Sequence, residues 1–200
     1  MSNSFPHRAP ISEIEPGLFL GDLGHSYDVL VLANNNIGAM VSMSDAKSAR
    51  WSLPQNRALV PQDRHLFVAC LDTATQDLLA RLPEICDFID RMRRAEARHN
   101  VLVHCTVGVS RSATVVLAYL MRTHRQPLDT ALASVKTVRK IRPNSNFMDQ
   151  LSVWAEAGYE LWEDADKTIP KPPYAAYLER RACILKAKGL TGNEPTCPDL

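Results

Sequence analysis

His104-Cys105-Thr106-Val107-Gly108-Val109-Ser110-Arg111-Ser112 stands between two apolar runs of different character. Val101-Leu102-Val103 precedes it, short and β-branched, and Ala113-Thr114-Val115-Val116-Leu117-Ala118-Tyr119-Leu120-Met121 follows. The first run reads as a strand and the second as a helix, so the stretch between them is predicted to be a tight loop feeding a helix N-terminus. A loop of that kind aims several backbone N–H groups at one point, where the helix dipole adds partial positive charge. An anion belongs at that point. Arg111 supplies a planar, two-pronged donor suited to a phosphoryl group, and Cys105 at the start of the loop would lie beneath the phosphorus as nucleophile. The same field should hold the cysteine pKa below its free value of about 8.5. Gly108 suits a turn that leaves no room for a Cβ. A cysteine before a helix is by itself most simply a small buried hydrophobe, but that reading does not account for His, Cys, Gly, Arg and Ser together at this spacing.

Taken with Ala118-Tyr119-Leu120-Met121, the stretch resembles the dual-specificity protein phosphatases, the atypical kind, within the cysteine-based tyrosine phosphatase superfamily. The resemblance implies an α/β fold: a central, twisted, mostly parallel sheet of about five strands flanked by helices on both faces. It begins near residue 11, where Ile11 and then Pro16-Gly17-Leu18-Phe19-Leu20-Gly21 resemble the family's first strand, and it ends near Asp164. Residues 1–10 are then an N-terminal arm, 11–164 a catalytic domain, and 165–200 a Pro-rich linker with a C-terminal helix and tail. On this reading no large docking domain precedes the match.

Two hundred residues with 46% hydrophobic content suffice for one buried core. A formal charge of +1 gives no footprint for nucleic acid or a membrane surface. The N-terminus lacks a signal pattern and no apolar stretch is long enough to span a bilayer, so a soluble protein of the cytoplasm, the nucleus or both is expected. Five scattered cysteines (Cys70, Cys86, Cys105, Cys183 and Cys197) suggest reduced thiols rather than a disulfide framework or a zinc site. No cofactor or metal is implied.

A short helix is predicted over 28–33 and a strand over 37–43, after the Asn34-Asn35-Asn36 turn. Residues 44–63 fit no period and read as a variable loop rimming the site. His65-Leu66-Phe67-Val68-Ala69-Cys70-Leu71 reads as a strand ending at Asp72. Expelling an alkoxide or phenoxide needs a neutral carboxylic acid to donate a proton. In the family an aspartate after this strand does so, and Asp72 matches it. Asp72 equally suits capping of 73–77, and Asp63 is the fallback acid. Cys70 is read as core, with a resolving-thiol role as the alternative.

Leu78, Leu79, Leu82, Ile85, Phe88, Ile89 and Met92 recur at helical spacing, with Pro83 in the first turn. The helix from Ser112 should run through the middle of the domain. A further helix is predicted over 128–141, its Lys136, Arg139 and Lys140 opposing the C-terminal dipole, with a place at the border of the site as the alternative. Arg142-Pro143-Asn144-Ser145-Asn146-Phe147-Met148-Asp149-Gln150-Leu151 resembles a supporting turn and final helix of the family, with Asn146 in place of a usual left-handed glycine. Phe147, Leu151, Trp154 and Leu161 form a packing stripe. After the prolines a helix over 174–188 is expected to pack on its own domain, with self-association or partner binding as alternatives.

The mechanism this implies is two-step hydrolysis of phosphotyrosine and phosphoserine/threonine through a cysteinyl-phosphate. Cys105 attacks, Arg111 and the loop N–H groups hold the equatorial oxygens, Asp72 protonates the leaving oxygen, and Ser112, by resemblance, stabilises the departing thiolate. His104 should orient the loop. Thr106, Val107, Val109 and Ser110 are uncharged, whereas family members that act on phosphoinositides carry lysine there, so phosphoprotein is the expected substrate. The alternatives are a catalytically weak phosphate-binding scaffold and a phosphoinositide or inositol phosphatase.

Overall fold

The computed structural model describes residues 10–95 and 99–192. Pro16-Gly17 turns the chain between strands β1 (Ser12–Glu15) and β2 (Leu18–Asp22), with Gly17 at φ +82°. Asp28 caps helix α1 (Val29–Asn34), its carboxylate accepting from the N–H groups of Leu30 and Val31. Strand β3 (Ile37–Ser44) follows, then α2 (Pro54–Leu59), β4 (His65–Ala69), α3 (Leu82–Arg94) and β5 (Asn100–Cys105). Four helices complete the described chain: α4 (Arg111–His124), α5 (Leu128–Val138), α6 (Ser145–Glu156) and α7 (Pro172–Ala187).

The five strands form one sheet in the order β1-β2-β5-β3-β4, antiparallel only between β1 and β2. This is the α/β architecture expected from the sequence. Asp22 and Met43 flank Cys105, and Ser44 pairs with Ala69, so the carboxyl ends of the parallel strands share one edge. Ligands of open α/β sheets bind beyond that edge.

Both faces are covered, which is why the inner strands read as nearly continuous apolar runs. Leu18, Leu20, Ala39, Val41, Val101 and Val103 face a core shared with α3, α4, α5, α6 and α7. Phe19, Met40 and Leu102 face the other way, against Leu32, Trp51 and Val60. Residues 111–121 of α4 are all buried, so this helix fixes the loop that enters it.

Three expectations change. The segment 44–63 is not one loop rimming the site: Ser44 ends β3 at the carboxyl edge, while a 3₁₀ turn at Ala49–Ser52 and α2 close the far face of the sheet. Trp51 anchors them, its ring edge-on to His65 and His104 at 5.0 and 5.6 Å and its indole N–H donating to Ser26 Oγ at 2.8 Å. The helix predicted over 128–141 stops at Val138, because Arg139 adopts an extended conformation. No helix forms over 73–77, so Asp72 has none to cap.

Helix α7 packs on its own domain, burying Tyr174, Tyr177 and Leu185. The prolines help rather than hinder it: Pro172 and Pro173 occupy its first turn, where missing N–H groups leave nothing unsatisfied. Cys197, most of the N-terminal arm and the end of the tail lie outside the described residues.

Candidate active site

The loop 105–111 is shaped from outside. Its Thr106 carbonyl accepts from the Leu23 N–H, its Gly108 carbonyl from Arg139 Nε at 3.0 Å, and its Val109 carbonyl from the Arg142 N–H at 2.7 Å. With these carbonyls turned outward, N–H groups turn inward, and that of Gly108 points at Cys105 Sγ from 3.2 Å. Gly108 sits at φ +76°, and a Cβ there would run into the Gly21 carbonyl group and lie 2.8 Å from Arg139 Nη2. Glycine is therefore required on two counts.

Cys105 ends the central strand, on the pleat that faces α4, and is 2% exposed. Burial by itself raises its pKa. The Ser112 hydroxyl, 3.2 Å from Sγ, the N–H groups of Ser112 and Gly108, and the Arg111 charge outweigh burial and hold the thiol below its ordinary value. Arg111 is buried at 8% exposure, with Nη1 on the Cys70 carbonyl and Nη2 on Thr106 Oγ1. Its Nε is buried without a hydrogen-bond partner, a donor held ready beside the thiol loop.

Asp72 reaches this loop from the end of β4. Its Oδ1 accepts from Ser110 Oγ at 2.9 Å and from Asn144 Nδ2 at 2.7 Å. Asn144 also caps α6 through Oδ1, so one side chain starts the helix and holds the carboxylate. The structure thus brings Cys105, Arg111, Ser112, Ser110, Asn144 and Asp72 together. Asp63 lies in a 3₁₀ turn at the amino end of β4, the far end from the thiol. Thr106 and Val107 are exposed, and Val109 is half-buried.

His104 occupies the opposite pleat from Cys105 and is fully buried. Its Nε2 meets Ser42 Oγ at 2.6 Å, and Ser42 also meets His65 Nε2 at 2.7 Å. Burial, reinforced by neighbouring His65, pushes the His104 pKa down to about 3. Burial and the charges of Arg57 and Lys47 bring His65 to about 4. Both rings are neutral at physiological pH, and His104 points away from the thiol. Cys70 is buried and its thiol is pushed up to about 12 by burial; its carbonyl, not its sulfur, touches Arg111.

Two residues do other work than expected. Arg139 does not serve the end of α5; its guanidinium ties Gly108 to β1 through Ser12 Oγ and the Pro10 carbonyl. Asn146 is helical, within α6, and its Nδ2 donates to the carbonyls of Thr73 and Gln76. Gln150, part of the stretch that resembles the family's turn and final helix but without a role of its own there, is fully buried; it accepts from the N–H groups of Leu78 and Leu79 and donates to the Gln76 carbonyl. A glutamine amid the Phe147, Leu151 and Trp154 stripe is the signal that could have found it, since buried amides are there to satisfy backbone.

A parallel sheet whose central strand delivers a cysteine into an arginine-closed loop at a buried helix defines the cysteine-based tyrosine phosphatase architecture. The family model described as dual specificity phosphatase, catalytic domain, matches residues 18–157, and the chain belongs to that family. It is 38% identical over 147 residues to the dual specificity protein phosphatase Mpk3 of Drosophila melanogaster, covering 72% of this chain and 34% of that protein. It spans about a third to a half of the length of several such curated relatives. The crystal structure of human DUSP28 matches with a TM-score of 0.66 at 32% identity, covering 77% of this chain and 98% of that one. That of human tyrosine phosphatase-like serine/threonine/tyrosine-interacting protein matches with a TM-score of 0.66 at 30% identity, covering 74% and 97%.

Proposed function

We propose that this chain hydrolyses phosphate monoesters on protein side chains, phosphotyrosine and phosphoserine/threonine, through a cysteinyl-phosphate. The observation that carries the reading is Cys105 Sγ, buried, hydrogen-bonded by Gly108 and Ser112, with Arg111 and Asp72 tied to the same loop. In the first step the thiolate attacks phosphorus, the P–O ester bond breaks, and the Asp72 carboxyl gives its proton to the leaving oxygen. Inward N–H groups and the Arg111 guanidinium hold the equatorial oxygens. In the second step water attacks the cysteinyl-phosphate, Asp72 takes a water proton, and the S–P bond breaks. The Ser112 hydroxyl then donates to the thiolate as it leaves. His104 acts by packing and orientation, because its ring faces the other side of the sheet.

The loop offers no cationic side chain other than Arg111, which favours a singly phosphorylated side chain over a polyphosphorylated inositol. A groove of about 700 Å³ runs beside it, where Val107, Val109, Val138 and Ile141 alternate with Arg139, Lys140, Arg142 and Asp22. A mixed apolar and basic wall of this kind suits the residues around a phosphorylated side chain. Among the described residues no helix is long and apolar enough to cross a membrane. A thiolate nucleophile must stay reduced, which favours the cytoplasm or nucleus. The catalytic unit in this reading is 11–164.

The matched human protein named as phosphatase-like and interacting motivates a second reading, a module that holds phosphoprotein without turnover. The experiment is turnover of p-nitrophenyl phosphate, followed by comparison of phosphopeptides with phosphoinositides. Turnover by the wild type that Cys105→Ser abolishes is expected, with phosphopeptides preferred. Phosphopeptide binding without turnover would establish the second reading instead.

A further inference from the structure

The loop 70–78 carries Asp72 yet contains no strand or helix to hold its backbone. Arg111 of α4 takes the Cys70 carbonyl and the Gln76 side chain bridges the Leu71 N–H and the Asp77 carbonyl, while the carbonyls of Thr73, Thr75 and Gln76 are met by side chains from two other helices. On one flank Asn146 and Gln150 of α6 take the carbonyls of Thr73 and Gln76. On the other, α7 supplies Arg181, whose Nη2 donates to the Thr75 carbonyl at 3.3 Å and whose Nε lies 3.9 Å from Asp77 Oδ2. Tyr177 of α7 donates its hydroxyl to Asp77 Oδ1 at 3.3 Å. Burial, and then Asp77 beside it, raise the Tyr177 pKa, so the hydroxyl stays a donor. The base of α7 is itself fixed. Lys171 Nζ reaches the Ala157 carbonyl, Tyr174 stacks on Tyr177 at 6.2 Å, and Trp162 meets Tyr174 edge-on at 5.4 Å.

We propose that Arg181 and Tyr177 are positioning residues for the proton transfer, and that α7, which lies beyond the residues matched by the family model, acts as an outer clamp on the acid loop. This rests on the phosphatase reading and on Asp72 as its acid. Asp72 is exposed, and its carboxylate is held through Oδ1 by Ser110 of the thiol loop and by Asn144, so the angle at which it meets a leaving oxygen also depends on the backbone behind it. The inner flank comes from the helix that Asn144 starts. Helix α7 supplies the outer one, by contacts more than a hundred residues apart in sequence for Arg181 and Thr75.

The test exploits the fact that only a basic leaving group needs the proton. In the full chain, phenyl phosphate, whose phenol is about as basic as tyrosine, is compared with a fluorinated umbelliferyl phosphate that departs unaided. For Arg181→Ala, kcat/KM on phenyl phosphate, which reports only the steps through cysteinyl-phosphate formation, should fall about five- to tenfold, a fraction of the roughly hundredfold or more that a general acid contributes, while kcat/KM on the activated ester changes less than about twofold. Tyr177→Phe, which keeps the buried ring, should move the same ratio in the same direction. Arg180→Ala, on the same helix but paired with Asp149 of α6, should leave both rates unchanged. In an Asp72→Asn background, Arg181→Ala should have no further effect, since the group it positions is gone. Equal losses on both esters, or an unchanged ratio in Arg181→Ala and Tyr177→Phe, would overturn the clamp while leaving the phosphatase reading intact. A wild type inactive on both esters would overturn the two together.

Discussion

The loop 105–111 and the loop 70–78 meet through two hydrogen bonds, Ser110 to Asp72 and Arg111 to the Cys70 carbonyl, and are built on opposite plans. The first is contiguous, with Cys105 and Arg111 buried, clamped between the central strand and a helix buried throughout 111–121, and its carbonyls are taken from outside. The second is an exposed excursion whose shape depends on side chains of α6 and α7. A charge-stabilising cradle works by fixed dipoles that need no reorganisation at the moment of reaction. A proton donor must follow a leaving group that differs between substrates, and side-chain tethers leave it that freedom. The first loop should therefore fail abruptly when altered and the second by degrees.

The largest effect should come from the chemistry of the second loop. Asp72→Asn removes the transferable proton but keeps the shape, so hydrolysis of phenyl phosphate should fall about 10²- to 10⁴-fold. The melting temperature and the affinity for a competitive oxyanion such as vanadate should stay as in the wild type. If both fall with activity, the two loops are not separable as described. Gly108→Ala attacks the first loop by a single methyl group. The left-handed backbone and the collision with Gly21 should cost about 1–3 kcal/mol of stability. Because misplacement by about 1 Å can cost a hundredfold in rate, turnover should drop by about that factor, together with oxyanion affinity. A variant with normal oxyanion affinity would show that the cradle tolerates movement.

The same contrast explains what could be read from sequence. The first loop was legible down to Cys105, Gly108 and Arg111, because strand, loop and helix are consecutive and each is set by local pattern. The place of Asp72 at the end of β4 was legible too, but not what holds it. Ser110 holds the Asp72 carboxylate through its hydroxyl, a contact between residues 38 apart in sequence that no spacing announces. Asn146, read as a tolerated substitute in a turn, ties down a loop more than seventy residues away. Arg139 fitted a helix end so well that its hold on Gly108 had no separate signature. Trp51 had no periodic neighbours to reveal that its segment packs across the sheet, behind His104. Backbone-dictated parts were readable, whereas long-range side-chain tethers required the fold.

An intermediate effect is expected where the loops are joined. Asn144→Ser keeps a hydroxyl to cap α6 and removes the amide that holds Asp72. The loss on phenyl phosphate should be about tenfold, well short of losing the acid altogether, with little change for an activated ester. Equal losses on the two esters would mean that Asn144 matters through its helix and not through the carboxylate.

The smallest and sharpest effect concerns Ser112, which touches Sγ from within the first loop's own helix. Its hydroxyl favours the thiolate, so Ser112→Ala should raise the Cys105 pKa from its lowered position toward the ordinary thiol value. A raised pKa means less thiolate at any pH below it. Iodoacetamide should then alkylate Cys105 several-fold more slowly near pH 6, whereas at a pH well above the ordinary thiol value of about 8.5 the two proteins should react alike. A midpoint unmoved by the substitution would place the whole stabilisation on the backbone and Arg111. The rigid loop would then need no side-chain hydroxyl to hold its charge, and Ser112 would act only when the thiolate departs from phosphorus.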